Sequence, residues 1–175
     1  MPNWCENELT VDGPEEQLNR FATMAKGENG VLDANSFIPY PEHLKKLDEA
    51  HPFQGEAKPL SEADAAQVRA MGLDPNKSGY EQAGYDWCWE HWGTKWNFYQ
   101  PVLEHTTSST SHLFRFDTAW SPPQPLVKKM GESFPELTFT LRYWESGACF
   151  QGTFVVEKGQ VTVDESSDYH GDRGG

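Results

Sequence analysis

Hydrophobic and polar positions alternate along residues 3–12, as in a strand with one buried face. Leu9 and Val11 lie on the apolar side of this segment. The polar side carries Trp4, Glu6, Glu8 and Thr10. Beyond the Gly13-Pro14 turn, apolar residues recur at helical spacing as far as Gly27. The pattern predicts a strand followed by a helix.

The same pattern returns in the second half of the chain. Residues 112–120 alternate as a strand, a Ser-Pro-Pro segment opens a helix, and residues 137–144 alternate again. Two strand–helix units predict an α+β fold with a βαββαβ antiparallel sheet and both helices on one face.

The strand that completes the first unit is ambiguous. Residues 97–107 are interrupted by Pro101, and residues 36–38 form a shorter candidate. We favour the former, paired as a hairpin with residues 112–120 through a polar turn at residues 106–111.

The expected domain spans residues 1–164 and contains an insertion at about residues 39–96. Its proline-rich first part predicts loops with short helices, such as one over residues 61–71. A further helix is expected over residues 79–92. A C-terminal hairpin turns at Gly159, and residues 165–175 are expected to form a polar tail.

Four tryptophans fall within ten residues at the end of the insertion: Trp87, Trp89, Trp92 and Trp96. Tyr85, Trp89, Trp92 and Trp96 are spaced as one helical stripe. One interpretation is core packing, and the other is an aromatic platform for bases or sugars. Lys95 would then meet an anion, cap the helix end or stack on an indole.

The net charge of −13 argues against direct binding to nucleic acid or to an anionic membrane. A solvated acidic surface explains the charge, and mimicry of DNA phosphates is the alternative. No apolar segment is long enough to span a bilayer, and residues 1–6 lack the features of a signal peptide. Three widely spaced cysteines suit reduced thiols, so a cytoplasmic protein is expected.

Motifs for chemistry are weak. Cys88 and His91 supply half of a zinc site with no second pair to complete it. Asp117 and Glu145 are candidate paired carboxylates, but the sequence does not fix their separation. No phosphate-binding glycine loop, serine elbow or zinc-protease helix occurs. We therefore predict no catalytic residue, cofactor or metal ligand.

Four segments carry a resemblance to a known family: MPNWCEN at residues 1–7, WGTKW at residues 92–96, TAWSPP at residues 118–123 and YWE at residues 143–145. The chain resembles the YubB-like family of bacterial plasmid and phage proteins from residue 1 to about residue 157. The resemblance implies a ferredoxin-like fold and an origin in a mobile element. It brings no activity from which a catalytic residue could be carried over.

In a ferredoxin-like sheet the first strand lies between the third and the fourth, which would place Glu6 and Glu8 beside Arg115 and Arg142. This face is either a wet surface of cross-strand ion pairs or the floor of a binding site roofed by the insertion. The candidate ligand- or partner-binding residues are Trp4, Glu6, Glu8, Trp92, Lys95, Trp96, Arg115, Asp117, Trp120, Arg142, Trp144 and Glu145.

Two functions remain open. The first is a non-enzymatic protein-binding module that engages a host protein, such as a defence or nucleic-acid-handling factor. The alternative is a small-molecule or nucleotide-binding enzyme that works on the polar face of the sheet. A closed pocket on that face and stabilisation by a metabolite would favour the enzyme.

Overall fold

The computed structural model describes residues 3–104, 108–171 and 173. The strands are β1 (Trp4–Asp12), β2 (Tyr99–Leu103), β3 (Ser111–Ala119), β4 (Thr138–Glu145), β5 (Phe150–Glu157) and β6 (Gln160–Asp168). The helices are α1 (Glu15–Met24), α2 (Glu42–Ala50), α3 (Glu62–Ala70), α4 (Tyr85–Trp92) and α5 (Gln124–Ser133).

The strands form one antiparallel sheet in the order β2-β3-β1-β4-β5-β6. β1 lies between β3 and β4, which is the arrangement of the ferredoxin-like βαββαβ core. β5 and β6 extend the sheet as a hairpin. The predicted α+β fold, with its insertion and C-terminal hairpin, is confirmed.

The ambiguous strand is β2, within the favoured segment. Its pairing with β3 is irregular between Tyr99 and Val102, where Gln100 has a φ of 46°. Proline cannot donate to a ladder, so Pro101 is accommodated by this bulge on an edge strand. The rejected segment overlaps a 3-10 turn at Ala34–Ser36. The predicted hairpin turn lies partly outside the described residues, because residues 105–107 are not among them.

The core lies between the sheet and its helices, and Phe21 of α1 is at its centre. The Phe21 ring is fully buried, with its centroid 5.2 to 5.8 Å from those of four other phenylalanines. These partners are Phe37, Phe114, Phe134 and Phe139. The contacts join α1 to β3, β4 and the loop after α1, so this ring stabilises both halves of the domain.

The insertion packs on the helix layer. α4 contacts α5, and α2 contacts the turn Tyr80–Gly84 that precedes α4. Leu44 and Leu47 of α2 form a second small core with Val68 of α3. Short helices were expected in this part of the insertion, and α2 is one that the sequence analysis did not place. The sequence left open whether the insertion roofs the sheet; α4 packs beside α5, on the helix side of the sheet.

The tryptophan-rich run packs in a different register from the predicted stripe. The buried side of α4 carries Cys88 and Trp92, whereas Tyr85 is exposed and contacts Trp89 edge-on. The helix ends at Gly93, which has a φ of 73°, so Trp96 lies beyond it. The predicted stripe does not form, because helical periodicity ends at this left-handed glycine.

The C-terminal strand is longer than expected. β6 runs to Asp168, four residues beyond the predicted boundary at residue 164. The polar positions of its outer side are typical of an exposed edge strand, which periodicity alone does not distinguish from a tail. After β6 the amide of Tyr169 donates to the carbonyl of Cys149 at 2.9 Å.

Candidate functional site

The face of the sheet opposite α1 and α5, here called the open face, carries a row of alternating charges. Glu8 on β1 lies between Arg115 on β3 and Arg142 on β4 in the strand register. One Arg115 nitrogen is 3.3 Å from Glu8 Oε1, and another is 3.4 Å from Glu104 Oε1. The prediction that Glu6 and Glu8 lie beside both arginines is therefore correct for Glu8 only, because Glu6 is opposite Asp117 and Trp144 in the register.

Glu8 is held in its charged form. Burial raises the pKa of this carboxyl group, but the hydrogen bond from Arg173 and the charges of Arg173, Arg115 and Arg142 outweigh burial. Its pKa therefore lies below the ordinary value. A carboxylate this well satisfied is a poor general base, because its proton affinity is low.

The next row of the open face places two carboxylates side by side. Glu6 on β1 is opposite Asp117 on β3 and, on its other side, opposite Trp144 on β4. Burial and the charge of Glu6 raise the pKa of Asp117. Like charges at directly opposed positions repel each other, so this row favours a cation nearby.

Arg173 supplies such a cation. Its Nη2 atom donates to Glu8 Oε1 at 2.7 Å, and its Nε atom lies 4.0 Å from Glu6 Oε2. Its guanidinium carbon is 4.0 Å from the centroid of the Trp144 ring. Arg142 contacts the same ring at 5.3 Å. Sequence reasoning missed Arg173 because it lies in the segment expected to be a free tail.

Aromatic side chains cluster at the end of the open face where β1 begins. The rings of Trp4 and Tyr99 are stacked, and Trp96 meets Trp4 edge-on with centroids 6.2 Å apart. These three residues are called the aromatic end. Tyr99 is 44% exposed. Trp120 follows β3 with a φ of 74°, is also exposed, and donates its amide to the Asn3 carbonyl at 3.0 Å.

Three candidate residues have other roles. Trp92 is 4% exposed and its indole nitrogen donates to the Ile38 carbonyl at 2.8 Å, so it belongs to the core. Lys95 stacks on Trp96, with Nζ 4.9 Å from the ring centroid. Glu145 is 1% exposed, and its carboxylate accepts hydrogen bonds from the amides of the β4–β5 turn. The carboxylate opposite Asp117 is therefore Glu6 and not Glu145.

The open face continues into a polar groove of about 620 Å³ along β4, β5 and β6. Arg142 and Trp144 of β4 line one side, Glu165 of β6 lies on the other, and Thr153 of β5 lies between them. The groove is open to solvent. It was not predicted, because the strand assignment stopped before residue 165.

A second cleft, of about 780 Å³, lies on the insertion side. Tyr40, Tyr80 and Trp92 line it together with carboxylates such as Asp48. Asp48 accepts hydrogen bonds from the Tyr40 hydroxyl at 3.1 Å and from the Tyr80 amide at 2.7 Å. The walls come from distant segments, so spacing in the sequence could not reveal the cleft.

The thiols and histidines do not assemble a metal site among the described residues, where no three His, Cys, Asp or Glu side chains are grouped to hold an ion. Burial raises the pKa of Cys88 to about 12. In the same part of the chain, no helix has the length and hydrophobicity to cross a membrane.

Comparison with known proteins identifies the fold. Residues 92–173 match the family model described as "Ferredoxin-like domain in Api92-like protein". The crystal structure of protein api92 from Yersinia pseudotuberculosis superposes with a TM-score of 0.59 at 12% identity, over 99% of this chain and 100% of that one. No curated protein sequence matches the chain. The chain thus has the ferredoxin-like fold of api92, and residues 92–173 match the ferredoxin-like domain of Api92-like proteins.

Proposed function

We propose that this chain is a non-enzymatic protein-binding module and that it binds through the open face. The observation that carries the proposal is the aromatic end, where Trp4, Trp96 and Tyr99 contact one another beside a row of charged side chains. Tyrosine, tryptophan and arginine are the residues enriched where binding energy concentrates in protein interfaces. Rings that are already stacked lose little conformational entropy on binding.

The charged row supports recognition rather than proton transfer. Glu8 is paired with Arg115 and Arg173, and its pKa is depressed. Such groups set register and orientation in an interface, because a partner with the wrong charge pattern leaves them unpaired.

The partner in this proposal is a host protein of a bacterium. The resemblance of the four segments to the YubB-like family supports an origin on a plasmid or phage, and the net charge of −13 favours a partner with a basic surface. A defence or nucleic-acid-handling factor that contacts nucleic-acid phosphates has such a surface. The complex would form in the cytoplasm.

Affinity capture from bacterial lysate tests the proposal. The full chain should retain one stoichiometric protein, and Tyr99→Ala should lose at least about tenfold of that affinity, as expected for a central aromatic contact. Phe53→Ala is the matched control, because Phe53 is 99% exposed on the insertion. Equal retention by both variants, or no stoichiometric partner from several hosts, would contradict the proposal.

A second function is favoured by one observation, the polar groove beside Arg142. Its volume of about 620 Å³ suits a small polar or nucleotide substrate, and an arginine with nearby hydroxyl groups suits an anion. A metabolite screen by thermal shift distinguishes this enzyme hypothesis from protein binding. It predicts a ligand that raises the melting temperature of the wild type but not that of Arg142→Ala.

A further inference from the structure

Arg173 is bound to the open face as a ligand would be. Its guanidinium group stacks on Trp144, donates to Glu8 and faces Glu6. An aromatic face with carboxylates beside it is complementary to a guanidinium group, which is planar, weakly hydrated and carries donors in a fork.

The carboxylates of this site require a cation. Glu6 is opposite Asp117 in the register, and the only described ion pair of Glu6 is the one with Arg173. Arg115 is shared between Glu8 and Glu104 and does not reach Glu6 within ion-pair distance. Removing Arg173 would leave Glu6, opposite Asp117, without its described ion pair, and the Trp144 ring with Arg142 alone.

The segment that carries Arg173 is weakly held. The Tyr169 amide donates a hydrogen bond to the Cys149 carbonyl. After it, the described backbone contact is a 3.5 Å hydrogen bond from the His170 amide to Gln151 Oε1. His170, Gly171 and Arg173 are all exposed. A segment with few buried contacts opens at low free-energy cost, so another guanidinium group can replace Arg173.

We propose that Trp144, Glu8 and Glu6 form a binding site for an arginine side chain of a protein partner, and that Arg173 occupies this site in the free chain. The inference rests on the proposed function, because it names the chemistry of the partner surface. The tethered Arg173 competes with the partner. The apparent affinity for the partner is therefore the intrinsic affinity multiplied by the fraction of time that the site is open. The acidic charge of the chain favours such a partner before contact.

The test uses the full chain and the peptide acetyl-Gly-Arg-Gly-amide as the probe. Binding is followed by NMR through the shift of the Trp144 indole N–H resonance. Arg173→Ala should bind the probe at least about tenfold more tightly than the wild type, because a tethered competitor acts at millimolar effective concentration. The lysine analogue of the peptide should bind more weakly, since an ammonium group cannot match the planar fork.

Arg69→Ala is the matched control, because Arg69 is an exposed arginine that pairs with Glu62 on α3. It should bind the probe as the wild type does. Adding the isosteric change Glu8→Gln to Arg173→Ala should abolish the gain. Equal binding by Arg173→Ala and the wild type, or no binding by either, would overturn the inference. Probe binding without a captured host protein would instead contradict only the proposed function.

Discussion

The indole of Trp4 and the phenol ring of Tyr99 are stacked, with centroids 4.6 Å apart and planes inclined by 21°. The two residues lie on strands that flank β3, and Ala119, the β3 partner of Trp4, is fully buried. A small side chain at that position leaves room for the two rings to meet. The pair therefore fixes the edge strand β2 to the start of β1.

Trp4→Ala should lower the free energy of unfolding by about 2 kcal/mol. Trp4 is half-buried. The loss should therefore lie between the energy of one aromatic pair and the cost of truncating a fully buried tryptophan. Tyr99→Ala should lower it by about 1 kcal/mol, since the ring is more exposed. Urea denaturation measures both values. A larger loss for Tyr99→Ala would show that the stack is not organised as described.

Phe21→Ala should destabilise the domain by about 3–5 kcal/mol, because it removes a fully buried ring and leaves a cavity among four others. Phe53→Ala makes the same chemical change at an exposed site and should change stability by no more than about 0.5 kcal/mol. Chemical denaturation of the pair checks the position of the core. Comparable losses would place the core elsewhere.

The fold was predictable because its information is local. Alternation in β1 gave the faces of Leu9 and Glu8 correctly, and the same parity placed Arg115 and Arg142. The insertion was harder, because α2 has only three buried positions and lies among prolines. The packing of α4 on α5 depends on contacts between segments far apart in the sequence, which periodicity does not predict.

The site was predictable only in part. The juxtaposition of Glu8 with two arginines followed from the strand order of the fold. The role of Arg173 did not, because a charged residue near polar neighbours has no sequence signal for folding back onto a sheet. Glu145 was misplaced for a similar reason, since its hydrogen bonds to turn amides depend on how the chain reverses after β4.

Gly93→Ala should lower the free energy of unfolding by about 3 kcal/mol, because two effects combine at this position. The residue has a φ of 73°, and an added Cβ would lie 2.5 Å from Pro125 Cδ. Gly72→Ala is the control for the positive φ alone, because Gly72 has a φ of 81° and an added Cβ would have no atom within 4 Å. It should lower the free energy of unfolding by about 1–2 kcal/mol. Equal losses would show that α4 does not pack on the start of α5.

Thiol labelling should separate the three cysteines. Cys149 is exposed, whereas Cys5 and Cys88 are buried and burial raises the pKa of each thiol to about 12. The thiolate is the reactive species, so a maleimide at neutral pH should modify Cys149 and spare the others. Mass spectrometry of the folded protein counts the adducts. Rapid modification of Cys88 would mean that α4 is not buried against the core.

Glu8 should contribute a pH-dependent stability. Its pKa in the folded chain lies below the ordinary value of 4.5, so the contribution is complete above that value and is lost as the pH falls through the folded pKa. The difference in unfolding free energy between the wild type and Glu8→Gln should therefore be constant near neutral pH and shrink below pH 4.5. Denaturation at several pH values measures it. A difference that grows in acid would contradict the ion pairing of Glu8.

Photo-crosslinking tests the proposed binding surface most directly. A photoreactive benzoylphenylalanine in place of Tyr99 should give one discrete crosslinked protein in bacterial cells, whereas the same residue in place of Phe53 should not. Both positions are exposed, so the comparison isolates the aromatic end of the open face. Equal crosslinking from the two positions, or crosslinking from position 53 alone, would contradict the account.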